Sequence, residues 1–271
     1  MSLDLFENKG LDIFGHLLPQ EGTPEGDQRK NEFVAALLAI LGDCRLLWMP
    51  KSTETTTSTD LSRHAATLTY DATFAGKYTR LGSGLYATFD GSADEADIPD
   101  SDIYSFGDGV ADQAFSIIAL VNPADASSSA ILTKRSSSSV REYSFWLNTS
   151  DYPELLLWDE SLNGTIAVAD ATALTQGSWA VLGATYDGSG AATGIALYKN
   201  ALRVDDTDNS TGSYTAMENT NALVSLAAQD TTPVALFDGS IACVAQCAKH
   251  LSVDEMWAIK ELMNGYYDLS L

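Results

Sequence analysis

The chain has 271 residues, 45% of them hydrophobic, with 37 acidic against 15 basic side chains and a formal charge of −22. A chain of this size buries roughly three quarters of its unfolded surface and needs no disulfide staples. The charge repels phosphate backbones and anionic lipid alike, so neither nucleic acid nor a membrane is expected as a partner.

The first 43 residues differ in pattern from the rest of the chain. The opening, "MSLDLFENKGLDIFGHLLPQEG", has neither a basic n-region nor a long apolar h-region, so it does not read as a secretory leader. "QEGTPEGDQ" (Gln20–Gln28) reads as a Gly/Pro/acid linker. "RKNEFVAALLAILGD" then predicts a helix, with Asp27 able to cap its start and Gly42 its end. Phe33, Val34, Leu37, Leu38 and Leu41 share one face of that helix. Such a stripe must be buried, on the edge of the chain's own β domain or on a neighbouring subunit. Residues 1–43 are taken as an arm for anchoring and assembly, residues 44–271 as a β domain, and a homo-oligomer is expected.

From Cys44 onward the chain changes to short alternating or apolar runs. The expected strands are Leu46–Met49, Ala66–Tyr70, Leu85–Phe89, Ala96–Ile98, Ala114–Val121, Ala130–Lys134, Glu142–Leu147, Glu154–Trp158, Thr165–Ala169, Trp179–Tyr186, Gly194–Tyr198, Ala222–Leu226 and Ile241–Cys247. Asp-Gly pairs at 90–91, 187–188 and 238–239 punctuate them, and Asn163-Gly164 predicts a type I′ hairpin. About a dozen short strands at this spacing predict a β-sandwich or barrel. Ser252 to Glu255 forms a capping box that opens a closing helix, with Gly265 at its C-cap. The three cysteines, Cys44, Cys243 and Cys247, are too few and odd in number for a disulfide framework. On a strand, Cys243 and Cys247 stand about 13 Å apart, too far to share a zinc ion.

Cys44 to Tyr267 resembles the laminin-G-like, concanavalin A-like jelly-roll domains. The resemblance is carried by "LLWMP" (46–50), "TDLSRHAATLT" (59–69), "FDGSADEADIPDSDIYSFGDG" (89–109), "AFSIIALVNP" (114–123), "GSWAVLGATYDGSGAATGIALYKNALRV" (177–204) and "FDGSIACVAQCAKHLSVDE" (237–255), in that order. It implies an all-β sandwich, here with an N-terminal helical arm and a short C-terminal helix. It specifies a fold and not a function.

The acidic run 89–109 has three readings. Glu95-Ala96-Asp97-Ile98-Pro99-Asp100 imitates the Glu-x-Asp-x-x-Glu strand of related glucanases, whose retaining chemistry needs two carboxyls roughly 5 Å apart. Against this, Pro99 breaks the strand and Ala96 and Ile98 read as the core face, which turns Glu95 and Asp97 outward. Calcium is the second reading, needing six to eight oxygens. The resemblance implies a rim ion near Asp60, but the second expected acid is Ala242 and the loop carries Arg63-His64. Asp60 and Asp90 are the candidate ligands of a structural calcium; no other cofactor is expected. The third reading is a solvated edge, with Asp90 closing a turn and the outer acids blocking edge-to-edge association.

Sugar binding calls for exposed rings. Trp158, followed by Asp159-Glu160 at a strand end, and Tyr152, beside Pro153, are the candidate ligand residues; Trp48, Trp146 and Trp179 read as core. With no catalytic residues assigned, the sequence is read as a non-enzymatic structural or adhesion module. The concrete expectation is a bacteriophage virion surface protein: a capsid decoration, fibre or tail-associated protein. It would be made in the host cytoplasm, anchored through the arm to capsid or sister subunits, and display a lectin-like domain to host glycans. The alternatives are a stand-alone carbohydrate-binding lectin and a concanavalin A-like glycoside hydrolase.

Overall fold

The computed structural model describes residues 23–71, 77–229 and 234–271. In chain order its strands are β1 (Cys44–Trp48), β2 (Thr57–Thr59), β3 (Thr67–Tyr70), β4 (Tyr78–Leu81), β5 (Gly84–Asp90), β6 (Ala96–Ile98), β7 (Phe115–Asp125), β8 (Ser129–Ser137), β9 (Val140–Leu147), β10 (Pro153–Asp159), β11 (Gly164–Ala169), β12 (Ala180–Tyr186), β13 (Ile195–Lys199), β14 (Leu202–Arg203), β15 (Thr207–Asp208), β16 (Val224–Leu226) and β17 (Asp238–Cys247). Sheet one runs β14-β13-β12-β7-β17-β5-β4, with β1 also paired to β17. Sheet two runs β15-β11-β10-β9-β8-β16-β6-β3-β2. The pairings between these strands are antiparallel, as a jelly-roll sandwich requires.

Alternation along each strand builds the core. Trp48, Phe89, Phe115, Tyr143, Phe145, Tyr186 and Phe237 fill the space between the sheets. Phe106 stacks on Phe115 with centroids 4.5 Å apart. The alternate residues of sheet one, such as Leu47, Ile118, Leu120, Val181 and Cys243, are buried too, in a second cluster. That explains why β7 reads as a continuous apolar run: both of its faces are covered.

The cover is a pair of helices, α1 (Pro24–Leu41) and α2 (Val253–Tyr267). Helix α1 starts earlier than its sequence suggests. Thr23 is the N-cap, its hydroxyl oxygen accepting from the Gly26 N–H at 3.1 Å, and Pro24 sits in the first turn where a missing N–H costs nothing. Asp27 therefore lies inside the helix, and the linker reading gives way from Thr23 onward; residues 1–22 of the expected arm lie outside the described residues. Gly42, at φ 68°, ends α1 as expected. The capping box of α2 is present in both directions, but the helix passes Gly265 and ends on Asp268 in the left-handed conformation.

The apolar stripe of α1 closes on the chain itself. Phe33, Leu37 and Leu41 are buried, and Val34 and Leu38 pack half-buried on the same cluster. Phe33 stacks on Tyr266 at 4.4 Å and meets Tyr267 edge-on at 5.8 Å. The Tyr267 hydroxyl in turn donates to the Ala242 carbonyl at 2.9 Å, pinning α2 to β17. The stripe assigned to subunit assembly is thus covered from within. Asn163-Gly164 also departs from expectation. The β10–β11 hairpin forms, but Asn163 alone has positive φ, and Gly164 is the first residue of β11. Gly164 is needed because the backbone of Ser213 lies where a Cβ would go.

Candidate functional site

The face of sheet two that turns away from the core carries a row of mostly small polar residues. Register places Thr69 opposite Asp97, Asp97 opposite Ser225, Ser225 opposite Thr133, Thr133 opposite Ser144 and Ser144 opposite Leu156. Their neighbours Ala96, Ile98, Leu132, Tyr143, Phe145, Leu155 and Leu157 are core, so period-2 alternation sends this row outward. Asp97 and Ser225 are joined, the serine hydroxyl donating to Oδ1 at 2.6 Å.

The middle of the row is roofed. After β16 the chain passes Ala227 at φ 68° and turns back, so that the Thr133 hydroxyl donates to the Ala228 carbonyl at 2.9 Å. Arg135 donates to Gln229 Oε1 at 3.3 Å, and the returning strand meets the sheet where Ala130 N–H donates to the Ala235 carbonyl. Thr133, which this turn contacts, and its row neighbours Ser144 and Ser225 are buried. Asp97, Trp146 and Leu156 stay half-buried and Thr69 exposed, so the flanks of the row reach solvent.

Buried polar atoms on this face without a hydrogen-bond partner among the described residues include Glu95 Oε2, Ser144 Oγ and Trp146 Nε1. Orphaned groups of this kind are uncommon in folded proteins and call for a reason. Glu95 is only 5% exposed. Burial, then the charges of Asp97 and Asp71, push its carboxyl up to about 7. Asp97 is also raised, by burial first, while the Ser225 bond pulls the other way. At neutral pH Glu95 is therefore a mixture of acid and carboxylate, able to donate or accept. The acids do face outward, and β6 does end before Pro99, but Glu95 is not solvated as a wetted edge requires.

The ring expected to meet a ligand is elsewhere engaged. Trp158 is 4% exposed, with the guanidinium carbons of Arg135 and Arg141 at 5.5 and 5.3 Å from its centroid. Glu160 holds Arg141 in place, its Oε2 accepting at 3.2 Å. Tyr152 is half-buried in the β9–β10 turn, where its N–H donates to Asn148 Oδ1 and its carbonyl accepts from the Asn148 N–H. The two stand at opposite ends of β10, about 20 Å apart by strand rise. Trp48 is core, but Trp146, also read as core, lies on the outer face opposite Ala130 and Glu154.

The calcium candidates are occupied as well. Asp60 is buried and accepts from the N–H groups of Leu47, Ser62 and Ala66, which organises its loop. Asp90 Oδ1 accepts from the N–H groups of Ser92, Ala93 and Asp94, which lowers its pKa to about 2 and closes the turn after β5. Among the described residues no three His, Cys, Asp or Glu side chains converge on a common point for a metal. The cysteines are free and buried, with Cys44 facing Cys247 across the β1–β17 ladder.

A family model of the concanavalin A-like lectin/glucanases superfamily matches residues 90–256, from the end of β5 into α2. The chain belongs to that superfamily. No curated relative matches it significantly. Solved structures share the fold at low identity. The binding domain of Paraclostridial mosquitocidal protein 1 superposes with TM-score 0.58 at 8% identity, covering 82% of this chain and 52% of its own. The botulinum neurotoxin serotype D ligand-binding domain, solved with N-acetylneuraminic acid, gives 0.57 at 11%, covering 83% and 52%. Domain 4 of AbnA, an extracellular GH43 arabinanase from Geobacillus stearothermophilus solved with arabinotriose, gives 0.55 at 15%, covering 80% and 98%. The chain thus spans about half the length of the toxin domains and nearly all of the arabinanase domain. At such identities the likeness is one of fold.

Proposed function

We propose that this protein is a non-catalytic glycan-binding module that takes a neutral sugar chain on the outer face of sheet two. The observation that carries the reading is the pair of half-buried polar side chains on the open flanks of this face, the Trp146 indole, whose Nε1 has no hydrogen-bond partner among the described residues, and the Asp97 carboxylate. A polyhydroxylated ligand supplies both donors and acceptors to such groups, and the Trp146 indole offers a face for stacking. The net charge of −22 disfavours sialic or uronic acids at this surface, which selects neutral sugars. The solved binding domains with bound saccharides support a lectin-like role by analogy of fold.

The test is a titration of the full chain with neutral oligosaccharides, including arabinotriose, followed by calorimetry. Trp146→Phe keeps the ring, removes the indole donor, and is expected to weaken binding about tenfold, the worth of one hydrogen bond to a buried group. Binding unchanged in that variant overturns the assignment. Release of reducing sugar from a β-glucan, lost in Glu95→Gln, would replace the module by a hydrolase. Display on a phage virion is the finer reading from sequence; its anchoring stripe is occupied by Tyr266 and Tyr267, and the glycan-binding reading does not depend on it.

A further inference from the structure

A cleft of about 320 Å³ opens at the edge of sheet one, between the segment that leads into β12 and the β13–β14 turn. Its walls include Thr172, Leu174, Ser178, Trp179, Lys199 and Asn200. It belongs to the other sheet and shares no residue with the face described above.

Its parts are held from behind. The Trp179 ring is half-buried and set by an edge contact with Tyr86, centroids 5.3 Å apart. Lys199 pairs at 2.8 Å with the buried carboxylate of Asp170. This wall therefore presents donors and acceptors with little net charge. Asn200 sits at φ 52°, where the turn requires a left-handed residue. Its N–H donates to the Val181 carbonyl and its Oδ1 accepts the Val181 N–H, which leaves its NH2 group without a partner among the described residues. At the mouth Leu202 is 72% exposed, a large aliphatic side chain left in water beside an indole.

One wall is apolar and flat, the other carries an amide, a paired ammonium and hydroxyls. That division matches a sugar ring, whose C–H face is apolar and whose edge carries hydroxyls. The volume lies at the small end of ligand pockets, enough for one or two rings. An acidic sugar would gain nothing from Lys199, already neutralised, and would meet the repulsion of the whole surface. We propose that this cleft is a second, independent subsite for a neutral sugar residue. The inference rests on the glycan-binding reading above. Two subsites on one chain would favour a polymer over its short oligomers, because the second contact forms at high effective concentration.

The experiment is an NMR titration of the ¹⁵N-labelled full chain with arabinotriose and with cellotriose. The Trp179 indole N–H and the Asn200 side-chain amide are expected to shift and saturate. Ser178→Arg, an exposed position at the cleft, should abolish those shifts and leave the rest of the spectrum and the Trp146 response intact. Shifts at Trp146 with none at Trp179 overturn the second subsite and spare the glycan-binding reading. Shifts at neither indole overturn both. Trp179 shifts that persist in Ser178→Arg overturn the assignment of the cleft.

Discussion

Lys134 and Glu142 meet at 2.9 Å with neither side chain reaching water. The ammonium also donates to Asp100 Oδ1 and to the carbonyls of Thr220 and Ala222, while Glu142 Oε1 accepts from the Thr220 N–H at 2.8 Å. Burial outweighs the nearby ammonium and holds Glu142 above the usual carboxylate range. The pair therefore clamps segment 220–222 to one end of β8 and β9. Lys134→Met strands a buried carboxyl and is expected to cost about 3–5 kcal/mol in urea unfolding, whereas Lys134→Met with Glu142→Leu should recover much of that loss. Equal losses in the single and double variants would show that the pair does not act as a unit.

Glu95 gives the protein a stability that depends on pH in a stated direction. Its pKa rises from 4.5 to about 7 on folding. Below pH 4.5 the carboxyl is protonated in both states. As pH rises toward 7 the unfolded chain loses its proton first, so this contribution to stability is lost through that window. Glu95→Gln should flatten the decline and leave the variant more stable than wild type at pH 8 by about 1–3 kcal/mol. A wild-type profile equally steep in the variant would mean that another group titrates.

Phe33 should behave as a core residue. Phe33→Ala removes the stacked contact with Tyr266 and is expected to cost about 3 kcal/mol. Sedimentation velocity on the same variant should report an unchanged association state. Dissociation of an oligomer at unaltered stability would return the stripe to subunit assembly.

Asp60 should matter for its loop and not for calcium. Asp60→Ala leaves three amide donors without their acceptor and is expected to cost about 3 kcal/mol, since hydrogen bonds to a charged group are worth the most. Addition of EGTA should leave the wild-type Tm where it was. A fall of several degrees on chelation would place a structural ion in the protein.

The strands with both faces buried are legible because they read as predominantly apolar runs, as in β7, β12 and β17. The outward turn of Glu95 and Asp97 followed from Ala96 and Ile98 alone. Strands β2, β4, β14 and β15 carry no signal in the sequence; each is two to four residues long, β2, β14 and β15 are mostly exposed and β4 half-buried, so none carries an apolar period. Trp158 was misread because its cover comes from β8 and β9, a pairing that sequence does not display. Trp146 was misread for the opposite reason: its apolar neighbours Phe145 and Leu147 face the core, and the tryptophan alternates away from them. The cover on Thr133 depends on Ala227 adopting a left-handed backbone, which alanine gives no sign of in sequence.

Strand β17 has a consequence for how the molecule is made. It lies between β7 and β5 and also carries β1, yet it begins only at Asp238. The central seam of sheet one therefore cannot close until the ribosome has passed Cys247, by which time β5 and β7 have waited with their edges open for more than a hundred residues. A stop codon anywhere upstream would release not a smaller sandwich but an apolar sheet lacking its middle, a species destined for chaperones or aggregation.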